Sequence, residues 1–594
     1  MGLKPLGSCL ILCVFIAGCT NQTTLPISIA ITPAAVALAP GQTVQLTATV
    51  TNNKTGVTSP ATTNGSQTGI SWAATAGSID ANGNYTAASS AGRSTTALVI
   101  ATSKQDRTKF ANAIVHVVAP GMVAASGNPQ VAVYTITPSS AGNMSVQFGP
   151  DTNYALTTWT QPSTSGEAVS LYVAGMKTGT QYHMRATIQF ADGSQYTDTD
   201  HTYTPATPTG NVPAPPTITV TTTPGMTPQS GVELLTLAQG VAWPTITDLD
   251  GNVLWRYAGV PNGTVANPIK LIPNGHFVVN FSVGTVDGGQ SLLQEMDLAG
   301  NVIWQMTAAD LNKALATATC SGCNITVVGT HHDFVMLPNG HLVVIAAVQQ
   351  DVSGTTVTGD VLIDLDQNHN PVWLWNEFDH LDINRRPFLY PDWTHTNAIL
   401  YSADDGNLIV SIRHQNWLVK IDYENGSGSG NILWHLGYQG DFTLVGGTDP
   451  TDWFYAQHGP SFTTKNTTGQ FGMAIFDNGD DRVFAPGITC GATGAPPCLY
   501  STVPLLQLDE TAMTATLVSN QTTPNYSFFG GNAAVLTNGN VEFCEAAGGP
   551  MGNAGTIYEF TQGSSPQQVW ELQVPGIYLY RGQRMPSFYP GVQW

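Results

Sequence analysis

Charge is scarce in this chain of 594 residues: 19 Lys and Arg stand against 39 Asp and Glu, and only 10% of positions are charged. The net charge of -20 offers no basic footprint for a phosphate backbone, which excludes nucleic acid as a partner. Long apolar runs are also lacking, since no stretch approaches the ~20 residues that a membrane-spanning helix needs. No segment keeps a 3.6-residue apolar period over any length, which excludes a helical bundle. Cysteine is sparse, eight in all, and three of these lie within the first 19 residues. What is abundant is Gly (61) and Pro (37), with Ser, Thr and Asn filling much of the remainder. That is the composition of a many-turned β protein, and 42% hydrophobic content excludes wholesale disorder. The length predicts about four units of ~150 residues rather than one core.

The first residues carry Lys4, a short apolar run from Cys9 to Ala17, and then Ile16-Ala17-Gly18-Cys19. This resembles a bacterial lipoprotein signal ending at residue 19, with Cys19 as the lipidated residue. Thr20 after it implies sorting to the outer membrane, so the expected location is the cell envelope, facing the periplasm or the cell surface, with a lipid anchor. An exported chain permits disulfides. Cys320 and Cys323 sit in a Gly/Thr-rich loop without the helix start that would lower a thiol pKa, so they read as a loop staple rather than a redox or zinc motif. Cys490 and Cys498 flank a Gly/Pro loop and are candidates for a second bridge, and Cys544 reads as a buried thiol.

Residues 20–119 alternate with period two, as in Val44-Gln45-Leu46-Thr47-Ala48-Thr49-Val50. Ile29-Ala30-Ile31-Thr32-Pro33, Ile70-Ser71-Trp72 and Gly77-Ser78-Ile79-Asp80 resemble the bacterial Ig-like group 2 family. Residues 120–204 hold further short strands, and Leu171 to Ala186 resembles part of a fibronectin type III module. Two β-sandwich modules are expected, followed by a Pro/Thr-rich linker over 205–216. The linker predicts that the remainder folds without them.

Residues 217–594 repeat. A turn followed by an apolar-Trp pair recurs at Asp250-Gly251-Asn252-Val253-Leu254-Trp255, Asn301-Val302-Ile303-Trp304, Asn370-Pro371-Val372-Trp373, Asn431-Ile432-Leu433-Trp434 and Gln568-Val569-Trp570, with a degenerate copy ending at Leu517. Hairpin turns such as Pro273-Asn274-Gly275, Pro338-Asn339-Gly340 and Asn538-Gly539-Asn540 lie between them. Six repeats predict an all-β chain with a six-bladed β-propeller behind the two sandwiches.

Histidine marks the chemistry by its phase within the repeat. His332, His395 and His458 each stand shortly before a hairpin turn, in three consecutive repeats. In a propeller that places them on innermost strands at one mouth of the channel. Arg413 ends a returning strand that an antiparallel hairpin brings beside His395 and Asn397. Three imidazoles suit zinc, with Asp333 or Asp392 as orienting carboxylates, but the guanidinium in the same pocket repels a cation and suits a tetrahedral oxyanion. The pocket reads as anion-binding, with no metal.

Gly329-Thr330-His331-His332-Asp333, Asp392-Trp393-Thr394-His395-Thr396-Asn397, Ser411-Ile412-Arg413-His414-Gln415, Gln457-His458-Gly459-Pro460, Ile475-Phe476-Asp477-Asn478-Gly479-Asp480 and Tyr580-Arg581-Gly582-Gln583-Arg584 follow one another in order. The set resembles the bacterial arylsulfate sulfotransferases. The resemblance implies transfer of a sulfuryl group from a phenolic sulfate donor to a phenol acceptor, independent of 3'-phosphoadenylyl sulfate and with no required cofactor. It implies His458 as the nucleophile that becomes sulfated, in a ping-pong route. Arg413, His332, His395 and Asn397 would surround the sulfate, with His331 and Trp393 as further substrate contacts. Either His332 or His395 could donate the leaving-group proton, and the sequence leaves that choice open. Trp417, Trp453, Phe454, Tyr455, Phe528 and Phe529 are candidates to grip aromatic rings. Structural calcium in the Asp/Asn/Gly loops and a homodimer stay open, as do two alternative functions: a non-catalytic envelope-binding propeller and a metal-dependent hydrolase.

Overall fold

The structure is a computed structural model that describes residues 26–89, 93–208, 214–238, 243–261, 263–283, 291–488, 498–548 and 552–594. The signal and Cys19 lie outside the described residues, as does Cys490. Cys320 and Cys323 form the expected staple. Cys498 is disulfide-bonded, and Cys544 is a free, buried thiol. No described helix is long and apolar enough to cross a membrane.

The chain is all-β. Alternation along strands such as Thr95–Ser103 buries Ala97, Val99 and Ala101 in the core of the first module, with Leu46, Tyr85 and Val115. The second module closes around Tyr134, Met144, Phe148, Met184 and Ile188.

Beyond residue 217 the strands pair into six further sheets of four or five strands. Their inner strands are Leu579–Met585, Val265–Leu271, Val327–Met336, Thr396–Ser402, His458–Phe462 and Asn532–Val535; each packs on the next, and Asn532 bonds Gly582 to return the circuit to the first. We read this ring as the propeller. The sequence repeat explains how the sheets are tied. In the first three turns the aspartate accepts hydrogen bonds from an asparagine four residues on, Asp248 from Asn252, Asp297 from Asn301 and Asp366 from Asn370. The tryptophan that follows reaches the turn of the adjacent sheet. Trp255 donates its indole N–H to Leu298 O and Trp570 to Leu249 O, Trp304 stacks on His369 at 3.6 Å, and in the third repeat the bond comes from two residues past Trp373, Trp375 to Gly430 O. The Trp570 bond joins the sixth sheet to the first.

Both ends of this region close the ring. The strand Thr219–Thr222 pairs with Gln568–Pro575 on the outside of the sixth sheet, and Leu579–Met585 pairs with Val232–Leu237 on the inside of the first. Arg584 locks that seam through buried Glu233 (2.8 Å), Glu559 (3.1 Å) and Glu542 (3.6 Å).

The second module is not a detached spacer. Val131 and Ala174 share one apolar cluster with Trp255, Phe277, Phe588 and Tyr589, and Trp594 packs against it. Tyr589 receives the Ala174 N–H at 2.8 Å and donates to Tyr172 O at 3.0 Å. Trp594 donates to Thr157 O at 3.0 Å. The C-terminal aromatics are thus a wedge between the two units. A chain cut at the connector is expected to melt several degrees lower than the full chain and to bind an apolar dye, because the cut exposes this shared core. Equal melting temperatures in calorimetry would contradict the wedge.

Candidate active site

Three inner strands carry irregularities at the same level of the channel. Register shifts fall between Thr330 and Phe334, between Thr396 and Ala398, and between His458 and Ser461. Such bulges re-aim side chains that a regular strand would send alternately to either face. His332 (φ 56°) and His395 (φ 52°) both adopt left-handed backbone, a conformation that costs roughly 1–3 kcal/mol for a non-glycine residue and clusters at functional sites. After His458 comes Gly459 at φ 43°, where a Cβ would lie 2.4 Å from that of Asn532. Only glycine lets the inner strand pass there.

The side chains converge as the repeat phase predicts. The ring centroids of His332 and His395 are 4.7 Å apart, those of His395 and His414 4.5 Å, and Tyr580 lies 5.8 Å from His332 and 6.4 Å from His458. Arg413 begins the turn after the strand Asn407–Ile412, and its backbone N–H meets His395 O at 3.4 Å. Its Nη2 donates to Asp480 at 2.7 Å and to Phe528 O at 3.1 Å, and Nη1 donates to His414 Nε2 at 3.0 Å. Three of its five N–H groups are spent, so two are left.

His458 is almost fully buried, and burial, then the Arg413 charge, holds its pKa well below the ordinary value. It is therefore neutral near pH 7. Asn478 donates through Nδ2 to Ser527 O (2.8 Å) and Gly530 O (3.1 Å), which orients Oδ1 toward His458 Nδ1 at 2.7 Å. The proton sits on Nδ1, and the Nε2 lone pair meets only the Gly530 N–H at 3.3 Å. A buried, neutral imidazole with a fixed tautomer is a nucleophile that needs no separate base.

The flanking histidines are also uncharged. Burial, then His395, lowers His332 well below its usual range. Burial and Arg413 push His395 down to about 3, and burial and His395 do the same for His414. His395 Nδ1 pairs with Asp392 at 2.6 Å. His332 Nδ1 pairs with His331 Nδ1 at 2.6 Å, and His331 Nε2 with Asp360 at 2.8 Å. Burial raises Asp480 to about 6 despite its bond to Arg413, and Tyr526 donates to its other oxygen at 2.6 Å.

Two of the expected substrate contacts, Trp393 and His331, stand elsewhere, and a third, Asn397, is partly engaged. Trp393 is fully buried, packs on Phe378 at 5.1 Å and gives its N–H to Arg385 O, so it does not reach the pocket. His331 has both ring nitrogens engaged and stands behind His332. Asn397 spends its amide N–H on Gln457 O at 2.7 Å, while its Oδ1 is enclosed without a partner. Asn397 thus anchors the residue before the nucleophile. Of the aromatics, Trp453, Phe454 and Tyr455 are core, and Trp417 is covered by Arg385 at 3.6 Å. The mouth is instead rimmed by Phe388, 5.4 Å from the Arg413 guanidinium, and by the cluster of Phe528, Phe529 and Tyr578. Phe388 had no motif to single it out.

One residue further along the same inner strands, Asp333, Gly459 and Arg581 line a cavity of about 170 Å³ with Lys270 and Ser461. Lys270 (2.5 Å) and Arg581 (3.1 Å) both pair with Asp333, whose carboxyl remains below its usual range although burial opposes this. Asp333 therefore braces the floor and does not orient a metal ligand.

Two solved structures illustrate the likeness. A protein of unknown function from Bacteroides caccae is 12% identical, covering 50% of this chain and 94% of its own, with a TM-score of 0.24. A quinonprotein alcohol dehydrogenase-like protein from Bacteroides thetaiotaomicron is 8% identical, covering 82% and 93%, with a TM-score of 0.23. Values this low carry no argument about function. No curated protein matches the chain. The family model described as arylsulfotransferase (ASST) matches residues 221–581, more than half of the chain and the whole of the histidine–arginine cluster. The chain belongs to the arylsulfotransferase family.

Proposed function

We propose that, within the aryl-sulfate sulfotransferase activity of its family, this chain transfers the sulfuryl group in two steps through a sulfohistidine at His458. The observation that carries the reading is the fixed, neutral His458, with Nδ1 held by Asn478 and Nε2 free of any side-chain partner among the described residues, beside an arginine with two N–H groups left over. In the first step Nε2 attacks sulfur and the S–O bond to the phenol breaks. In the second a phenol oxygen attacks the same sulfur and the S–N bond breaks. Charge spreads over three equatorial oxygens, as in phosphoryl transfer, so positioning and electrostatics supply most of the catalysis. Arg413 supplies positive charge, and Phe388 with Phe528 offers aromatic surface for the rings of donor and acceptor. On this reading the exported chain is an outer-membrane lipoprotein of the cell envelope.

One observation favours a metal-dependent hydrolase: ligand atoms of Asp392, His395 and His414 lie within 4.8 Å of one another. The two readings separate on chelation. Phenol-stimulated release from a chromogenic aryl sulfate is expected to survive a strong chelator and to need no added nucleotide sulfate. Activity lost on chelation and restored by zinc would favour the hydrolase. Calcium in the surface turns would register as a change in melting temperature, measured separately.

A further inference from the structure

We infer that Asp360 and His331 are positioning residues that make His332, rather than His395, the proton donor to the leaving phenolate and the proton acceptor from the incoming phenol. The inference rests on the sulfotransferase reading and assigns a job within it.

The geometry is a line of two short hydrogen bonds, Asp360 to His331 Nε2 at 2.8 Å and His331 Nδ1 to His332 Nδ1 at 2.6 Å. A carboxylate only accepts, so the first proton lies on His331 Nε2. His331 Nδ1 then carries a lone pair, and His332 must donate to it from Nδ1. That leaves His332 Nε2 as the bare nitrogen, the one side-chain bond of His332 being at Nδ1. Asp360 cannot turn away, because its second oxygen accepts the Thr394 hydroxyl at 2.9 Å and the Thr396 N–H at 2.6 Å. Glu377, beneath it, accepts the Thr396 hydroxyl and the Asp360 N–H. Burial, then Asp360, raises Glu377 well above its usual range, so it stays neutral and Asp360 is the one charge at the end of the line.

The line answers an electrostatic difficulty. A protonated His332 would be buried and would face Arg413 and His395. The Asp360 charge, aligned through His331, compensates the imidazolium as it forms. His332, neutral with Nε2 bare in the free protein, takes one proton from solvent onto Nε2 as the sulfate ester binds, and when His458 Nε2 bonds to sulfur and the aryl S–O bond breaks, that proton passes to the phenolate oxygen. When the acceptor oxygen bonds to sulfur and the S–N bond breaks, its proton returns to His332 Nε2. One proton leaves and one returns in each cycle, and no redox partner is needed. His395 has a carboxylate partner too, but Asp392 is 28% exposed and is screened by solvent, whereas Asp360 is 1% exposed.

The test is leaving-group dependence, which a merely structural role would not move. Wild type, Asp360→Asn, His331→Gln and Asp392→Asn are each assayed with 4-nitrophenyl sulfate, whose phenolate leaves unaided, and with phenyl sulfate, whose phenolate of pKa about 10 needs the proton. Asp360→Asn and His331→Gln are expected to lower kcat with phenyl sulfate by about 30-fold more than with 4-nitrophenyl sulfate, a ratio typical of lost general acid catalysis. Asp392→Asn is expected to leave that ratio within about three-fold of wild type. Equal loss on both donors in Asp360→Asn and His331→Gln overturns the inference, as does a selective loss in Asp392→Asn, which would route the proton through His395. If Asp360→Asn fails to fold by circular dichroism, His331→Gln, which keeps the buried carboxylate, decides the matter. Wild type that releases phenol from neither donor sinks the sulfotransferase reading itself and is thereby told apart from failure of the line.

Discussion

His458→Ala is expected to abolish sulfuryl transfer, by about 10⁴-fold or more, while aryl sulfate still binds. Both half-reactions run through Nε2, so no acceptor concentration restores turnover. Mass spectrometry of wild-type protein treated with donor alone should find one SO3 on the peptide containing His458, labile to acid and discharged by phenol. The alternatives nearby are poorly placed to compete. Ser461 gives its hydroxyl to Ala533 O at 2.7 Å, and Tyr455 is fully buried and donates to Pro450 O at 2.8 Å. An adduct on either residue, or sustained turnover by His458→Ala, would refute the assignment even in an active sulfotransferase.

Arg413→Lys is expected to lower kcat by about 10²-fold or more and to slow, without preventing, formation of the covalent adduct. The guanidinium holds Asp480, Phe528 O and His414 at once and still keeps two N–H groups, one of them the enclosed, unpartnered Nε. An ammonium has three donors in all. It cannot hold those three partners and also face a sulfate, so the charge survives and its placement does not. Rapid-quench measurement of the adduct separates the two: a normal adduct rate in Arg413→Lys would show that the fork is not used at the sulfur.

Much of this architecture was legible because it repeats. The Asp-to-Asn turn and the tryptophan after it recur in successive units, and the structure gives the reason in the first two, where the turn ties its own asparagine and receives the indole of the sheet before it. The histidines were legible for the same cause, one phase in three adjacent units. What escaped the sequence depends on pairs distant along the chain. Asp360 meets His331 across 29 residues and Gly530 meets His458 across 72, and neither separation leaves a periodic mark. Trp393 misled in the opposite direction. Its nearness to His395 suggested a substrate contact, but it lies ahead of the strand Thr396–Ser402, and its packing on Phe378 and its N–H bond to Arg385 O hold it in the core. The wedge of Phe588, Tyr589 and Trp594 likewise joins segments some four hundred positions apart, and composition gave no sign of it.

The strand Leu579–Met585 closes the first sheet although it follows every other described strand along the sequence. It also brings Tyr580 and Arg581 to the floor beneath the histidines, where Arg581 bonds Asp333 and the carbonyl of Asn397. A nascent chain that stops before Leu579 therefore carries every histidine and Arg413 yet has neither a closed ring nor a finished floor. The ring and the floor of the site are thus completed by the same seven residues.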